Sequence, residues 1–288
     1  MLPFPQQRRY SDFNDPWQRD STLNTGVLLG SLLLVAIVEF CLPWRQRELP
    51  ALRRRFGNLG IWLLNIVLVG FIFAPTDAFR PRLEAVSGLA LPSWPIANRW
   101  LSFIAVFLLL DFLVYAVHRC QHAVPFLWRF HALHHSDPEV DVTTAVRHHP
   151  VEYVLAGGFY WLVILALDVP PALVSAHALT LFATAALTHG NIRLPGWLER
   201  VLQPIIITLD LHRVHHSIAA DEANANFGGV LSVWDRLFGT YLQLPRGQLD
   251  QIVFGVRGLS SREGPPRSAI SPPPRLSSRA VRQAPAGD

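Results

Sequence analysis

Charged residues and cysteines are both scarce in this chain. Only 16% of its 288 residues are charged, half are hydrophobic, and the mean hydropathy is +0.26. This composition excludes an ordinary soluble domain and is typical of a membrane protein. The two cysteines, Cys41 and Cys120, are predicted to lie in different environments, so no disulfide is expected.

Several cofactor and hydrolase motifs are also missing. The sequence contains no G-x-G-x-x-G dinucleotide fingerprint, no cysteine-rich iron–sulfur motif and no recognisable haem domain. An oxidoreductase built on this chain must therefore receive electrons from a separate protein. The motif H-E-x-x-H is absent too, which argues against a zinc hydrolase with a carboxylate base. The net charge of +4 suits an anionic lipid surface, and no basic helix or fold motif indicates nucleic acid.

Five apolar runs reach or approach the length of about 18 to 20 residues that an α-helix needs to cross a bilayer. They cover residues 26–44, 58–75, 100–117, 151–169 and 172–189. The first run lacks a small-residue cleavage site, so it is predicted to be a retained helix. Pro170 and Pro171 are predicted to form the turn before the last run, because proline cannot continue a helix but can begin one.

Arginine distribution predicts an orientation in the membrane. The connection 45–57 carries five arginines and one glutamate. Since loops rich in positive charge remain on the cytoplasmic side, this connection is predicted to be cytoplasmic. Alternation then places segment 118–150 and the chain after residue 189 on the same side, with the N-terminus opposite.

The spacing of the histidines is more informative than their number. His118 and His122 share one face if the third helix continues through them. The segments HALHH (131–135) and HRVHH (212–216) each combine offsets of three and four with an adjacent pair. That pair diverges by about 100° around a helix, so each segment points in two directions. Such segments suit two metal ions better than one.

The number of clustered histidines also indicates two metals. Neutral imidazole is a good ligand for iron, zinc, copper and nickel, and these eight histidines exceed what one ion can take. His189 ends the fifth run on the same side and is predicted to join them. His148 and His149 lie in a loop near that interface. His177 lies twelve residues before His189, about 18 Å away along the helix, and is left out of the predicted site.

Asp111 lies inside the third apolar run, seven residues before His118 and therefore on nearly the same helix face. An acid within a membrane helix is costly unless it has a partner. Asp111 is predicted to orient a ligand histidine from behind. The alternative is a carboxyl group satisfied by a neighbouring helix.

Six motifs follow one another in order: HRCQH, HALHH, RHHPVE, LTHGN, HRVHHS and NFGGVLSVWDRLFGTY. Together they resemble the fatty acid hydroxylase/sterol desaturase superfamily, in its bacterial sterol desaturase-like branch. The resemblance covers residues 100–242. It differs from the fatty acid 2-hydroxylases at Ala185, where those enzymes have a further histidine, and this favours the sterol-modifying and related branches.

The resemblance implies a set of metal ligands and a structural frame, with His148 on a variable position. The implied ligands are His118, His122, His131, His134, His135, His149, His189, His212, His215 and His216. The residues that match the closing signatures, and whose role the resemblance makes structural, are Asn226, Gly228, Trp234, Asp235, Phe238 and Gly239.

The activity that the resemblance implies is that of a membrane-bound non-haem di-iron oxygenase, with zinc as a substitute metal. Such an enzyme hydroxylates or desaturates a C–H bond of a sterol-like, fatty acyl or other membrane lipid, using O₂ and a separate ferredoxin- or cytochrome-type electron donor. The expected location is a bacterial inner membrane. The alternatives are a zinc-dependent membrane hydrolase and a non-enzymatic metal transporter or haem-binding membrane protein.

The predicted fold class is an all-α integral membrane protein. Four to five transmembrane helices carry a helical cap on the cytoplasmic face, and the cap holds a histidine-ligated dimetal site. The predicted organisation is a polar N-terminal segment (1–25), two N-terminal helices with their connections (26–99), a catalytic domain (100–245) and a disordered tail rich in Pro, Ser and Arg (256–288).

Overall fold

The computed structural model describes residues 21–46, 51–73, 94–96 and 98–257. Most of the predicted N-terminal segment and tail therefore lie outside the described residues. The α-helices within them are α1 (Ser21–Cys41), α2 (Ala51–Phe73), α3 (Arg99–Ala123), α4 (Pro125–His135), α5 (Pro150–Leu167), α6 (Pro171–His189), α7 (Gly196–Leu202), α8 (Leu209–His215), α9 (Ala220–Ala223), α10 (Val233–Leu237) and α11 (Arg246–Leu249). A 3₁₀ helix covers Val142–Val146. The described chain forms no β-strand beyond two isolated bridges.

Within the part of the chain that the structure describes, five helices are long and apolar enough to cross a membrane: α1, α2, α3, α5 and α6. They correspond to the five apolar runs, which confirms the predicted all-α membrane fold. Their outward side chains stay uncovered by protein; Phe40 is 85% exposed and Phe71 is 84% exposed. Apolar surface of this extent is what a bilayer covers.

The turn between α5 and α6 forms where the two prolines predict it. Helix α5 ends at Leu167, Asp168 adopts a left-handed conformation with φ of 51°, and Pro171 begins α6. Helix α3 runs without a break to Ala123, so His118 and His122 do lie on one continuous helix. The chain then turns at Val124 and returns as α4, which begins with a proline.

Buried ion pairs hold α1 and α2 against the histidine-bearing end of the molecule. Arg54 binds Asp137 at 2.8 Å and also contacts Asp141. Arg55 binds Asp141 at 3.0 Å and Glu39 of α1 at 2.6 Å. Asp137 and Asp141 follow directly after α4, so the arginine-rich connection lies at the same end as the histidines, as predicted.

The short helices α7, α8, α9 and α11 and the 3₁₀ helix form a cap at this end of the helices. Helix α8 is its centre, since all seven of its residues are buried. The cap extends past residue 245: Phe254 packs with Val140 and Val214, while Val256 packs with Trp128 and Ala132. Val256, the first residue of the segment predicted as a tail, therefore packs against the cap and α4.

Candidate metal centre

Nine histidines converge into two adjacent groups in the interior. Cluster 1 consists of His118, His122, His131, His135 and His215. Cluster 2 consists of His134, His189, His212 and His216. Within each cluster one ring nitrogen per residue lies within 4.8 Å of all the others, and each cluster could hold a metal ion.

Each histidine triplet is divided between the two clusters. In HALHH, His131 and His135 turn toward cluster 1 and His134 toward cluster 2. In HRVHH, His215 turns toward cluster 1 while His212 and His216 turn toward cluster 2. Residues four apart share a helix face and adjacent residues do not, so the helical repeat itself separates the two sites.

The nitrogen spacing in cluster 1 matches a shared cation. His118 Nε2 lies 2.9 Å from His215 Nε2 and 3.1 Å from His131 Nε2. His135 Nε2 lies 3.2 Å from His131 Nε2 and 3.1 Å from His122 Nε2. Neighbouring ligands on one ion, with metal–nitrogen bonds of about 2.0–2.1 Å, lie roughly 2.9–3.4 Å apart.

Burial keeps the imidazole rings that lie outside the membrane-spanning helices in the neutral form that binds metal. Removal from water lowers the pKa of His215 to about 3. Burial, together with the neighbouring imidazoles, also holds the pKa of His134, His135, His212 and His216 well below the usual value. A metal ion therefore displaces few protons from these residues, because only the neutral ring offers a lone pair.

In cluster 1, the neutral rings of His118 and His215 are hydrogen-bonded through Nδ1 to backbone carbonyl groups. This leaves the lone pairs on their Nε2 atoms facing each other. His118 Nδ1 lies 3.0 Å from the carbonyl oxygen of Phe227, and His215 Nδ1 lies 2.8 Å from that of Ala225. A carbonyl oxygen only accepts, so each Nδ1 carries the proton and each Nε2 a lone pair. The two Nε2 atoms lie 2.9 Å apart, and their lone pairs repel one another. A cation between them removes the repulsion, and the residues therefore fit a metal.

The residues of cluster 2 also fit a metal ion, and here the argument rests on the number of hydrogen bonds that one lone pair can accept. His189 Nδ1 donates to the carbonyl oxygen of Ala185 at 2.7 Å, so its Nε2 has the lone pair. The Nε2 atoms of His134, His212 and His216 all surround that atom, at 3.2, 3.0 and 3.1 Å. One lone pair cannot accept three hydrogen bonds well. The Nδ1 atoms of the same three histidines are buried without a hydrogen-bond partner in the described chain.

Glu152 is a site residue that the sequence analysis missed. Its Oε1 accepts from His131 Nδ1 at 2.7 Å and from His148 Nδ1 at 2.9 Å. The ring of His148 stacks on His134 with centroids 4.4 Å apart. One buried carboxylate therefore touches a cluster 1 histidine and a neighbour of cluster 2. The available signal was the spacing in RHHPVE, which puts Glu152 one helical turn after His148.

The structure does not bring His149, which the resemblance implies as a ligand, into either cluster. His149 precedes α5, and its Nδ1 accepts from the backbone N–H of Val151 at 3.1 Å. Its ring lies against Phe130, with centroids 5.0 Å apart, and belongs to neither cluster. Because Pro150 begins the helix, His149 occupies the capping position and turns toward the helix terminus instead of the metal centre.

Asp111, predicted to orient a ligand histidine, makes its hydrogen bonds to another segment of the chain. Its carboxylate accepts from the backbone N–H groups of Val230 and Leu231 at 3.0 and 3.1 Å, and from Trp234 Nε1 at 2.9 Å. The histidine near it is His177, whose Nε2 lies 3.9 Å away. His177 is buried and lies in neither cluster, which agrees with its exclusion from the site. Asp111 thus satisfies a neighbouring segment, as the alternative interpretation states.

The residues of the closing signatures frame cluster 1. Asp235 accepts from the backbone N–H groups of Phe227 and Gly228 at 2.7 and 2.8 Å. Asn226 has a φ of 57° and binds the backbone of Leu211 and Leu242. These contacts fix the backbone of segment 225–228, whose carbonyl groups accept from His118 and His215.

An apolar cavity of about 280 Å³ lies beside Glu152. It is enclosed by side chains of α3, α4 and α5, among them Val117, Phe130 and Phe159. Gln121 and Glu152 are its polar residues, and Gln121 donates to Glu152 at 3.3 Å. The cavity therefore offers hydrocarbon-like surroundings close to cluster 1, because Glu152, which lines it, also accepts a hydrogen bond from His131.

Comparison with known proteins identifies the class to which this site belongs. The chain is 29% identical over 241 residues to an ornithine lipid hydroxylase, OlsE, of Rhizobium tropici, which covers 81% of the chain and 70% of that protein. It is 31% identical over 164 residues to the alkylglycerol monooxygenase of Xenopus tropicalis and 31% identical over 169 residues to that of Homo sapiens. These matches cover 54% and 56% of the chain, but only 32% and 34% of the two monooxygenases.

Residues 103–240 match the family model named fatty acid hydroxylase. This match confirms the resemblance to that family, and the matched region includes the nine clustered histidines and Glu152. No solved structure matches the chain. The relatives confirm the prediction of an O₂-dependent lipid hydroxylase, and they support neither the hydrolase nor the transporter or haem-binding alternative.

Proposed function

We propose that this protein is a membrane-bound lipid hydroxylase in which clusters 1 and 2 hold two iron ions. One oxygen atom of O₂ enters a lipid C–H bond as a hydroxyl group and the other leaves as water, a reaction that takes two electrons and two protons. The observation that carries the proposal is the convergence of nine ring nitrogens into two adjacent groups. Hydroxylation is favoured over desaturation because the relatives are named hydroxylases and monooxygenases.

The proposed ligands are the nine clustered histidines, with Glu152 and His148 behind them. Bound iron would supply the O₂-dependent oxidation of an unactivated C–H bond, which side chains do not perform unaided. Glu152 holds the Nδ1 proton of His131, and the carbonyl groups of Phe227, Ala225 and Ala185 hold those of His118, His215 and His189. Each Nε2 therefore faces inward. Zinc is a possible substitute, since it binds such sites more tightly than Fe²⁺.

The proposed substrate is a lipid with a polar headgroup and a long acyl or alkyl chain. Two of the relatives are named for lipids of this kind. The cavity between α3, α4 and α5 supports the same class, because its lining is almost entirely apolar and two of its walls are membrane-spanning helices. The substrate's chain would enter from the bilayer, which covers the outer faces of α3 and α5.

The proposed location is a bacterial inner membrane, with the metal centre on the cytoplasmic face. Support comes from the arginine-rich connection 45–57, which lies at the same end of the helices as the clusters. Electrons would come from a ferredoxin- or cytochrome-type protein. The proposed catalytic domain is residues 100–245, with the first two spans as a separate N-terminal part.

The test is metal analysis of anaerobically purified protein, paired with O₂ consumption and mass spectrometry of lipids supplied with a reductant. Two irons per chain and a lipid product that is heavier by one oxygen atom are expected. A single metal per chain, or iron-loaded protein that consumes no O₂ with any acyl or alkyl lipid, would contradict the proposal.

Alanine variants test the two clusters separately. His215→Ala removes a cluster 1 nitrogen and His134→Ala a cluster 2 nitrogen, so each is expected to lower bound metal from two ions to one and to abolish hydroxylation. His177→Ala is the matched control, because this buried histidine lies in neither cluster. It should keep both metals and the activity. Full activity in either cluster variant would refute the ligand assignment.

A further inference from the structure

Two segments that are distant in the sequence pair beside the middle of α3. Residues 203–207 and 229–238 are named here the re-entrant unit. Ile207 N–H donates to the Val230 carbonyl at 2.8 Å, and Ser232 N–H donates to the Ile205 carbonyl at 3.0 Å. The Ser232 hydroxyl donates to the Gln203 carbonyl at 2.6 Å. These hydrogen bonds join the two segments into one compact unit.

Asp111 fixes the depth of the re-entrant unit. It stands twelve residues from Arg99 and twelve from Ala123, the two ends of the membrane-spanning helix α3. That is about 18 Å from either end, and about 10 Å inside His118, at 1.5 Å per residue. The N–H groups of Val230 and Leu231 lie 3.0 and 3.1 Å from its carboxylate. The unit therefore reaches the central depth of a spanning helix.

The unit packs tightly against the spanning helices. A Cβ atom on Gly229 would lie 2.6 Å from Val114 of α3 and 2.8 Å from Leu181 of α6, so glycine is needed for this approach. Phe112 of α3 contacts the ring of Trp234 at 5.2 Å between centroids, and Phe238 lies 5.4 Å from Tyr115. The unit thus covers the part of α3 that contains Phe112, Val114 and Tyr115.

The outer surface of the unit is apolar and uncovered. Ile205 is 60% exposed, Leu237 is 67% exposed, and Val233 and Phe238 are 40% and 43% exposed. This surface continues the exposed apolar face of α3, which includes Ile104 and Leu108. Two charged residues belong to the unit: Asp235 is buried, and Arg236 donates to the Gln203 carbonyl at 3.3 Å with its guanidinium 3.8 Å from the Tyr241 ring centre. The charge of Arg236 is therefore directed back onto the protein.

We propose that the re-entrant unit lies within the hydrocarbon of one leaflet, and that lipid acyl chains cover Ile205, Val233, Leu237 and Phe238. Non-helical backbone is tolerated at that depth only where its polar groups are satisfied internally. Asp111 supplies this for two N–H groups and an indole, which explains an acid in the middle of a membrane helix. The proposal is independent of the metal and of the reaction.

Spin-label accessibility in lipid vesicles tests the depth. The full-length protein with Cys41→Ser and Cys120→Ser receives a single cysteine by Leu237→Cys and a nitroxide label. Leu108→Cys on α3 is the lipid-facing reference, and Gln248→Cys on α11, an exposed position in the cap, is the water-facing reference. We expect the ratio of O₂ to water-soluble nickel collisions at residue 237 to match that at residue 108 and to exceed that at residue 248.

Two results would overturn the proposal. A nickel collision rate at residue 237 equal to that at residue 248 would place the unit in water. Shielding from both reagents with dipolar broadening would show that a second copy of the chain covers the surface instead of lipid. If Leu237→Cys fails to fold, Ile205→Cys reports on the same surface, because Ile205 pairs with Ser232 in the unit.

Discussion

At the scale of single residues, Glu152 connects the two halves of the site. Its carboxylate accepts hydrogen bonds from His131 of cluster 1 and from His148, which stacks on His134 of cluster 2. A carboxylate behind a ligand histidine fixes the ring's tautomer and raises its basicity. Glu152 therefore acts through His131, as a positioning residue.

Glu152→Gln is expected to weaken metal binding without unfolding the protein. The amide is nearly the same size but is neutral and keeps one acceptor oxygen for two donors, so metal affinity should fall by about 10- to 100-fold. Titration with Co²⁺, followed by its visible absorption, measures this directly. Glu199→Gln is the matched control, since Glu199 is a buried acid on α7 that hydrogen-bonds Gln203. Equal Co²⁺ affinity in both variants would contradict the role of Glu152.

The clustering of the nine histidines could be predicted from the sequence, whereas the only signal for Glu152 was its spacing from His148, and no signal indicated that His149 turns away from the clusters. Offsets of three and four on a helix fix which side chains share a face, so the division of HALHH and HRVHH follows from local geometry. His148 and His149 follow a turn, and the position at which α5 begins decides which of them faces the site. That position depends on Pro150 and on packing around Phe130, which spacing alone does not encode.

At the scale of elements, apolar length predicts the five spans because a bilayer selects for it. The sequence contains no comparable pattern that predicts the re-entrant unit. Its contacts join Asp111 to residues about 120 positions later in the chain. An acid within a membrane helix indicates only that some partner exists, and for Asp111 the seven-residue spacing favoured His118. Two of its three hydrogen-bond donors are backbone N–H groups, which carry no sequence pattern, and the third is the indole of Trp234.

Asp111→Asn is expected to destabilise the packing of the re-entrant unit on α3. Asparagine keeps one acceptor oxygen, so its NH₂ group would face either the N–H of Val230 or the N–H groups of Leu231 and Trp234. A buried donor left without a partner costs about 1–3 kcal/mol. The melting temperature in detergent should therefore fall. Asp221→Asn is the control because Asp221 is exposed in the cap. A melting temperature unchanged in Asp111→Asn would mean that these bonds contribute nothing.

At the scale of the whole molecule, two kinds of interaction hold the cap to the spans. One is the set of buried ion pairs between α2 and the residues after α4, formed by Arg54 and Arg55 with Asp137 and Asp141. The other is the proposed metal centre, to which α3, α4, α6 and α8 each contribute histidines. Only the second depends on bound metal, so the two can be separated experimentally.

Metal removal is therefore expected to loosen α8 and leave α2 in place. Helix α8 and the adjacent His216 supply three of the proposed ligands, whereas α2 supplies none. A ligand that binds only the folded state stabilises it by about 4 kcal/mol when its free concentration is about 1,000 times its dissociation constant. Hydrogen exchange with and without a chelator should show faster exchange at residues 209–216 and an unchanged rate at 54–72. Reloading with Fe²⁺ should restore protection, and equal acceleration in both segments would show that the metal centre stabilises the molecule globally and not through the cap.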